Sequence, residues 1–76
     1  MPELTPEQKE ALKDEKRSAI HTFLKEQKKP ASLGEISRGI DLRDLAKVSY
    51  HLNKLAEVDV VEMVPGTRRY RLVGGE

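Results

Sequence analysis

The hydrophobic pattern of this chain changes period once, near Asp59, and that change limits what the chain can fold into. Before it, apolar residues recur three and four apart, the spacing of helices that bury one side. After it comes Val60-Val61-Glu62-Met63-Val64, a β-rich run. Pro65-Gly66 then fits the two central positions of a type II turn. From Arg68 to Val73 the residues alternate, Tyr70 and Leu72 to one side and Arg69 and Arg71 to the other. The expectation is a set of helices closed by a hairpin with a basic tip, ending in a frayed Gly74-Gly75-Glu76.

The helical part is divided by its caps and breakers. Thr5 can cap a first helix, with Pro6 at its first position and Gln8 completing a capping box. That helix is expected to run unbroken to Lys28-Lys29-Pro30. Its apolar side (Leu12, Ala19, Ile20, Phe23, Leu24) is dense only after residue 17. Residues 1–16 are therefore expected to form a polar helical extension, and residues 17–76 the domain proper. Ser32-Leu33-Gly34-Glu35 opens a second, short helix with another capping box, and Gly39 suits a left-handed position at its end. Either Asp41 or Asp44 caps the third helix. There Leu45, Val48, Leu52 and Leu55 form an apolar stripe with Ala56 at its edge. Ala46, Lys47, Tyr50, Asn53, Lys54 and Glu57 take the opposite face. Helix, helix-turn-helix and hairpin, in that order, give a mostly α chain with a small antiparallel β-hairpin: an α+β fold of the winged helix-turn-helix type.

Seventy-six residues make one small domain. With no cysteine, disulfides and thiolate metal sites are excluded. No apolar run approaches a membrane span and the N-terminus has no signal-peptide character, so a cytoplasmic location is expected. The net charge of +1 conceals an asymmetry: residues 1–16 hold five acids and three lysines, which leaves +3 on the rest. Such a domain can meet a polyanion locally without being basic throughout.

The outward face of the third helix carries the candidate chemistry. Lys47 and Lys54 can neutralise phosphates, Tyr50 can stack on or hydrogen-bond to a base or the backbone, and Asn53 can pair with adenine. The alternative is a solvated helix face. Arg68 and Arg69, beside the Pro-Gly turn, can reach the backbone or the minor groove; their other use is to keep a strand edge from pairing with further chains. Tyr70 and Leu72 are expected in the core, and His51 half-buried and hydrogen-bonded in place. His21 and His51 lack companions at metal-ligand spacing, so no metal and no cofactor are expected. No nucleophile–base pair or Gly-rich phosphate loop is present, so no catalytic residue is assigned and the chain is not expected to be an enzyme.

Three runs carry a family resemblance: Val48-Ser49-Tyr50-His51-Leu52-Asn53-Lys54-Leu55, then Val60-Val61-Glu62, then Arg68-Arg69-Tyr70-Arg71-Leu72. Together they resemble winged helix-turn-helix transcription regulators of the ArsR type. The resemblance implies that the third helix reads the major groove, that the hairpin is the wing, and that Ser49 joins the contacts. Asp59 stands where the family usually has glycine, and the turn before the reading helix is about one residue longer. The cysteines with which many members sense metals are absent. Family members commonly dimerise through their first and last helices, and this sequence ends where a last helix would begin. The expected function is thus a sequence-specific regulator of double-stranded DNA, with a homodimer through the first helix and no membrane contact. The alternative is a winged helix that binds protein and not DNA.

Overall fold

Each helix begins where a side chain supplies the hydrogen bonds that its first N–H groups lack. The computed structural model describes residues 4–73, so the end at Gly74-Gly75-Glu76 lies outside the described residues. The elements are α1 (Pro6–Ala11), α2 (Glu15–Gln27), β1 (Ala31–Ser32), α3 (Leu33–Gly39), α4 (Leu45–Glu57), β2 (Val61–Met63) and β3 (Arg69–Leu72). Capping boxes open α1 (Thr5, Gln8) and α3 (Ser32, Glu35) as expected. Of the two aspartates that could cap α4, Asp44 does so, its carboxylate accepting from Ala46 N at 3.0 Å and Lys47 N at 3.3 Å.

The single long first helix does not form. Asp14 accepts from Lys16 N at 2.8 Å and Arg17 N at 3.1 Å, which makes it the N-cap of a new helix and ends the first at Ala11. A short side chain that bonds its own backbone competes with a continuous helix, and here it wins. The chain turns at residues 12–14, and α1 folds back on the C-terminal end of α4. Gln8 Nε2 donates to Val58 O at 2.9 Å and Asp59 O at 3.3 Å, while Gln8 Oε1 accepts from Thr5 N. One glutamine thus caps the start of α1 and the end of α4. Leu12, expected on a free extension, packs with Ala11 against the core.

Helices α3 and α4 end in the same way. Leu42 N donates to Ser37 O and Asp41 N to Arg38 O; Val60 N donates to Leu55 O and Asp59 N to Ala56 O. Both are Schellman turns, which require a left-handed residue just past the helix. Asp41 (φ 56°) and Asp59 (φ 62°) supply it. The left-handed role expected of Gly39 therefore falls to Asp41. Gly39 serves close packing instead, since a Cβ there would lie 2.2 Å from the Phe23 ring.

The core joins Ile20 and Leu24 of α2, Ala31 of β1, Ile36 of α3, Val48, Leu52 and Leu55 of α4, and Val60 and Val61. Tyr70 and Leu72 pack on it, as their alternation predicts. The hairpin forms with Val61 opposite Leu72 and Met63 opposite Tyr70. Gly66 at φ 80° and the Thr67 N to Val64 O bond of 3.1 Å give the expected type II turn. A third strand joins it: Ala31 pairs with Tyr70 and Ser32 with Arg69, so the antiparallel sheet runs β1-β3-β2. Two residues are too few to show a strand period in sequence. The architecture is a winged helix-turn-helix, mostly helical with a small antiparallel sheet.

Two substitutions separate the roles of aspartate and glycine at these helix ends. Asp59→Gly relieves left-handed strain and removes a carboxylate from a helix C-terminus, for a gain of about 1 kcal/mol. Gly39→Ala drives a methyl into the Phe23 ring and costs about 1–3 kcal/mol. Thermal melts should move in opposite directions, by roughly 4–8 °C per kcal/mol for a domain of this size.

Candidate nucleic-acid interface

Helix α4 is divided lengthwise. Val48, Leu52 and Leu55 have no exposed surface, and Ala46, Lys47, Tyr50 and Asn53 on the other side are exposed. Ser49 and His51 lie half-buried at the flanks of that face. Lys47 makes no ion pair among the described residues, so its charge is available to a ligand. Lys54 is more constrained. Its ammonium lies 5.5 Å from the centre of the Tyr50 ring and 3.9 Å from the Glu57 carboxylate. The sequence places these two lysines on one footing; the structure separates them.

Leu45 departs from the expected stripe. It is 48% exposed, so the core takes three of the four leucine and valine positions. As the first residue of α4 it lies one turn before Val48, the first residue of the helix to be buried. Ala46, next in the chain, is also exposed, and Ser49, one turn on along the same side, is half-buried. Periodicity assigns Leu45 an angle around the helix axis, but not a depth along that axis, and depth decides its burial.

Behind the helix, His51 is nearly covered, its side chain 13% exposed. Its ring meets that of Tyr50 edge-on at 5.3 Å. The hydrogen bond expected to hold it does not form: Nδ1 is buried without a hydrogen-bond partner among the described residues, and Asp14 Oδ1 is 4.0 Å away. The Asp14 carboxyl sits below its ordinary value, chiefly through the Arg17 N–H, against the opposing effect of burial. The Lys16 N–H and the nearby His51 and Arg17 side chains add to the lowering.

The turn into α4 is fixed by one buried polar side chain. Ser37, 7% exposed, donates its hydroxyl to Leu42 O, while its own carbonyl accepts from Leu42 N at 3.0 Å. Both backbone groups of Leu42 are thus held by a single residue of α3. This sets the approach of α4, and the sequence pattern gives no sign of it.

On the wing, the two candidate arginines differ as the lysines do. Arg68 is exposed at the turn and has no ion pair among the described residues. Arg69 Nη1 lies 3.4 Å from Glu35 Oε1, and on the same face Arg71 Nε donates to Glu62 Oε2 at 2.6 Å. Glu35 also accepts from Ser32 N at 2.8 Å. Its carboxyl is held below its ordinary value first by the Ser32 N–H, with Arg69 and Lys29 contributing and burial opposing. Among the described residues the wing therefore offers Arg68 as a free cation, while Arg69 and Arg71 are already engaged.

Residues 12–64 match a family model described as a helix-turn-helix domain. That is more than half of the chain, and the protein belongs to this family. The match takes in α2 to β2 and leaves out α1 and the return strand β3. No curated protein and no solved structure gives a significant match. Among the described residues no group of three or more His, Asp or Glu is placed to hold a metal ion, and no helix is long and apolar enough to cross a membrane.

The lowered carboxyls of Asp14 and Glu35 make a pH prediction. Each folded value lies below the unfolded one, so the stabilisation is complete above the unfolded value and is lost as pH falls through the folded value. Denaturant midpoints should decline on the acid side of the ordinary values 3.8 and 4.5. Asp14→Asn and Glu35→Gln together should flatten that decline, and an unchanged acid limb would remove both caps from the explanation.

Proposed function

We propose that this chain is a sequence-specific, double-stranded DNA-binding transcription regulator of the ArsR type. Helix α4 enters the major groove, and the wing lies on the backbone or in the minor groove. Residues 17–76 carry the domain, and residues 1–16 are an addition to it. The observation that carries the reading is the outward face of α4, where Ala46, Lys47, Tyr50 and Asn53 are exposed while Val48, Leu52 and Leu55 on the opposite side are fully buried. Lys47 neutralises a phosphate, Tyr50 and Asn53 address base edges, Lys54 and Ser49 flank them, and Arg68 holds the backbone beside the wing. Arg69 reaches a phosphate by leaving Glu35. That exchange is inexpensive, because an exposed ion pair contributes about 0–1 kcal/mol.

A second reading, a winged helix that binds protein, draws on the wing. Arg69 and Arg71 are both paired with carboxylates, and the chain as a whole is nearly neutral. A homodimer through the first helix has lost part of its motive. Leu12 packs against the core of its own chain, which leaves Leu4, 38% exposed, as the large apolar side chain still open among the described residues before α2.

A titration with duplex DNA followed by NMR separates the two readings. Shifts confined to residues 44–57 and 66–71, and weakening as salt rises, fit the first; no shifts at low salt fit the second. Lys47→Ala should weaken binding to all duplexes and reduce the salt slope by about one. Lys54→Ala should do less, because Tyr50 and Glu57 already engage it. Tyr50→Phe or Asn53→Ala should alter which sequences bind, with about 1–3 kcal/mol at stake for a good base contact. Arg68→Ala should reduce affinity more than Arg69→Ala, and the difference should narrow when Glu35→Gln frees Arg69. Equal losses in every background would show that the Glu35 pair does not restrain the wing.

A further inference from the structure

We propose that Leu45, with Ala46 beside it, is a specificity-determining residue that contacts the 5-methyl group of a thymine in the major groove. The proposal rests on the DNA-binding reading and names the base that one part of the α4 face selects.

Leu45 is a large apolar side chain left nearly half in water, although the core begins one turn further along the same helix. Its position is rigid. Asp44 fixes the first turn through the N–H groups of Ala46 and Lys47, and Ser37 pins both backbone groups of Leu42 just upstream. The residues around it are small: Ala46 is next in the chain and Ser49 lies one turn on, so an approaching surface meets Leu45 before it meets the helix backbone. Exposed Arg43 lies just before the helix, and exposed Lys47 stands on the other side of its first turn. An apolar side chain on a fixed first turn that also carries cations is complementary to a groove walled by phosphates.

Within that groove the base edges present hydrogen-bonding groups, with one apolar exception, the thymine methyl. Leucine can neither donate nor accept, so it discriminates only by covering that methyl or by leaving another base edge unsatisfied. Both effects favour A·T pairs at one fixed position. Tyr50 and Asn53, further round and further along the face, are left to read the neighbouring pairs.

The test alters the DNA before it alters the protein. A duplex is selected from a random pool by the full 76-residue chain. Each thymine is then replaced in turn by deoxyuridine, which keeps the pairing and removes only the methyl. Affinity should fall about fourfold at one thymine of the selected site, the fold-change for losing one buried methyl-sized group. With Leu45→Ala, thymine and uracil should bind equally at that position, while other positions keep their preferences. Circular dichroism melts of the variant, whose substituted side chain is half exposed, verify that it folds. Replacement of every thymine without loss, or a loss that persists in Leu45→Ala, overturns the assignment. If no sequence is enriched from the pool, the DNA-reading function itself fails, and the assignment of Leu45 falls with it.

Discussion

Burial of one side of α4 is the constraint on which the rest of this structure depends. Val48, Leu52 and Leu55 are fully withdrawn from water, and α2, α3 and the sheet each supply part of the surface that covers them. Full burial of such a side chain contributes about 1.5–3 kcal/mol. In a chain of this length the total is small, because a short chain buries only about 60% of its unfolded surface. Little redundancy is left, and the remaining stability has to come from local hydrogen bonding. That is why each of the four helices starts on a capping side chain, Thr5, Asp14, Ser32 or Asp44. It is also why α3 and α4 close on full Schellman turns although neither has a glycine at the left-handed position.

What the sequence discloses and what it hides follow from the range of each interaction. The α4 stripe, the two capping boxes, the type II turn and the strand alternation are all settled within a few residues. The arrangement of β1 is not: Ala31 and Ser32 become a strand only because Tyr70 and Arg69 lie beside them. Gln8 bonds to carbonyls 50 residues away, and Glu35 meets an arginine 34 residues on. The break before α2 is local, but it pits the capping preference of Asp14 against an unbroken helical pattern. The outcome is decided by where α1 can pack. Gly39 misled for a related reason. Glycine signals either a left-handed turn or a close approach, and only the position of Phe23 distinguishes them.

The same limit applies to the candidate site. The sequence singles out one face of α4 and one end of the hairpin, but treats Lys47 with Lys54, and Arg68 with Arg69, as equals. The structure gives one member of each pair a partner within the protein, Tyr50 and Glu57 for Lys54 and Glu35 for Arg69. A nearly neutral domain can therefore present positive charge selectively. Its carboxylates neutralise some cations at short range and leave others, Lys47 and Arg68 among them, open to solvent. A count of charges cannot express this, since the field at a contact is set by the pairs that are already made.

Helix α1 adds a further hold on α4. A helix that is to present one whole face cannot be clamped by side chains on that face, so its position has to be fixed from the buried side and from its ends. The buried side is the core stripe. The N-terminal end is fixed by Asp44 and by the Ser37 grip on Leu42, and the C-terminal end by the Schellman turn at Asp59. Gln8 adds the last restraint, because its amide donates to the Val58 and Asp59 carbonyls that the turn leaves without helical partners. Without those bonds the carbonyls would still find water, so Gln8 contributes mainly to where α4 stops and how firmly its last turn is held. A polar segment outside the helix-turn-helix proper thus acts on the end of α4 furthest from Leu45. It leaves Lys47, Tyr50 and Asn53 uncovered and adds no apolar surface to the face they share.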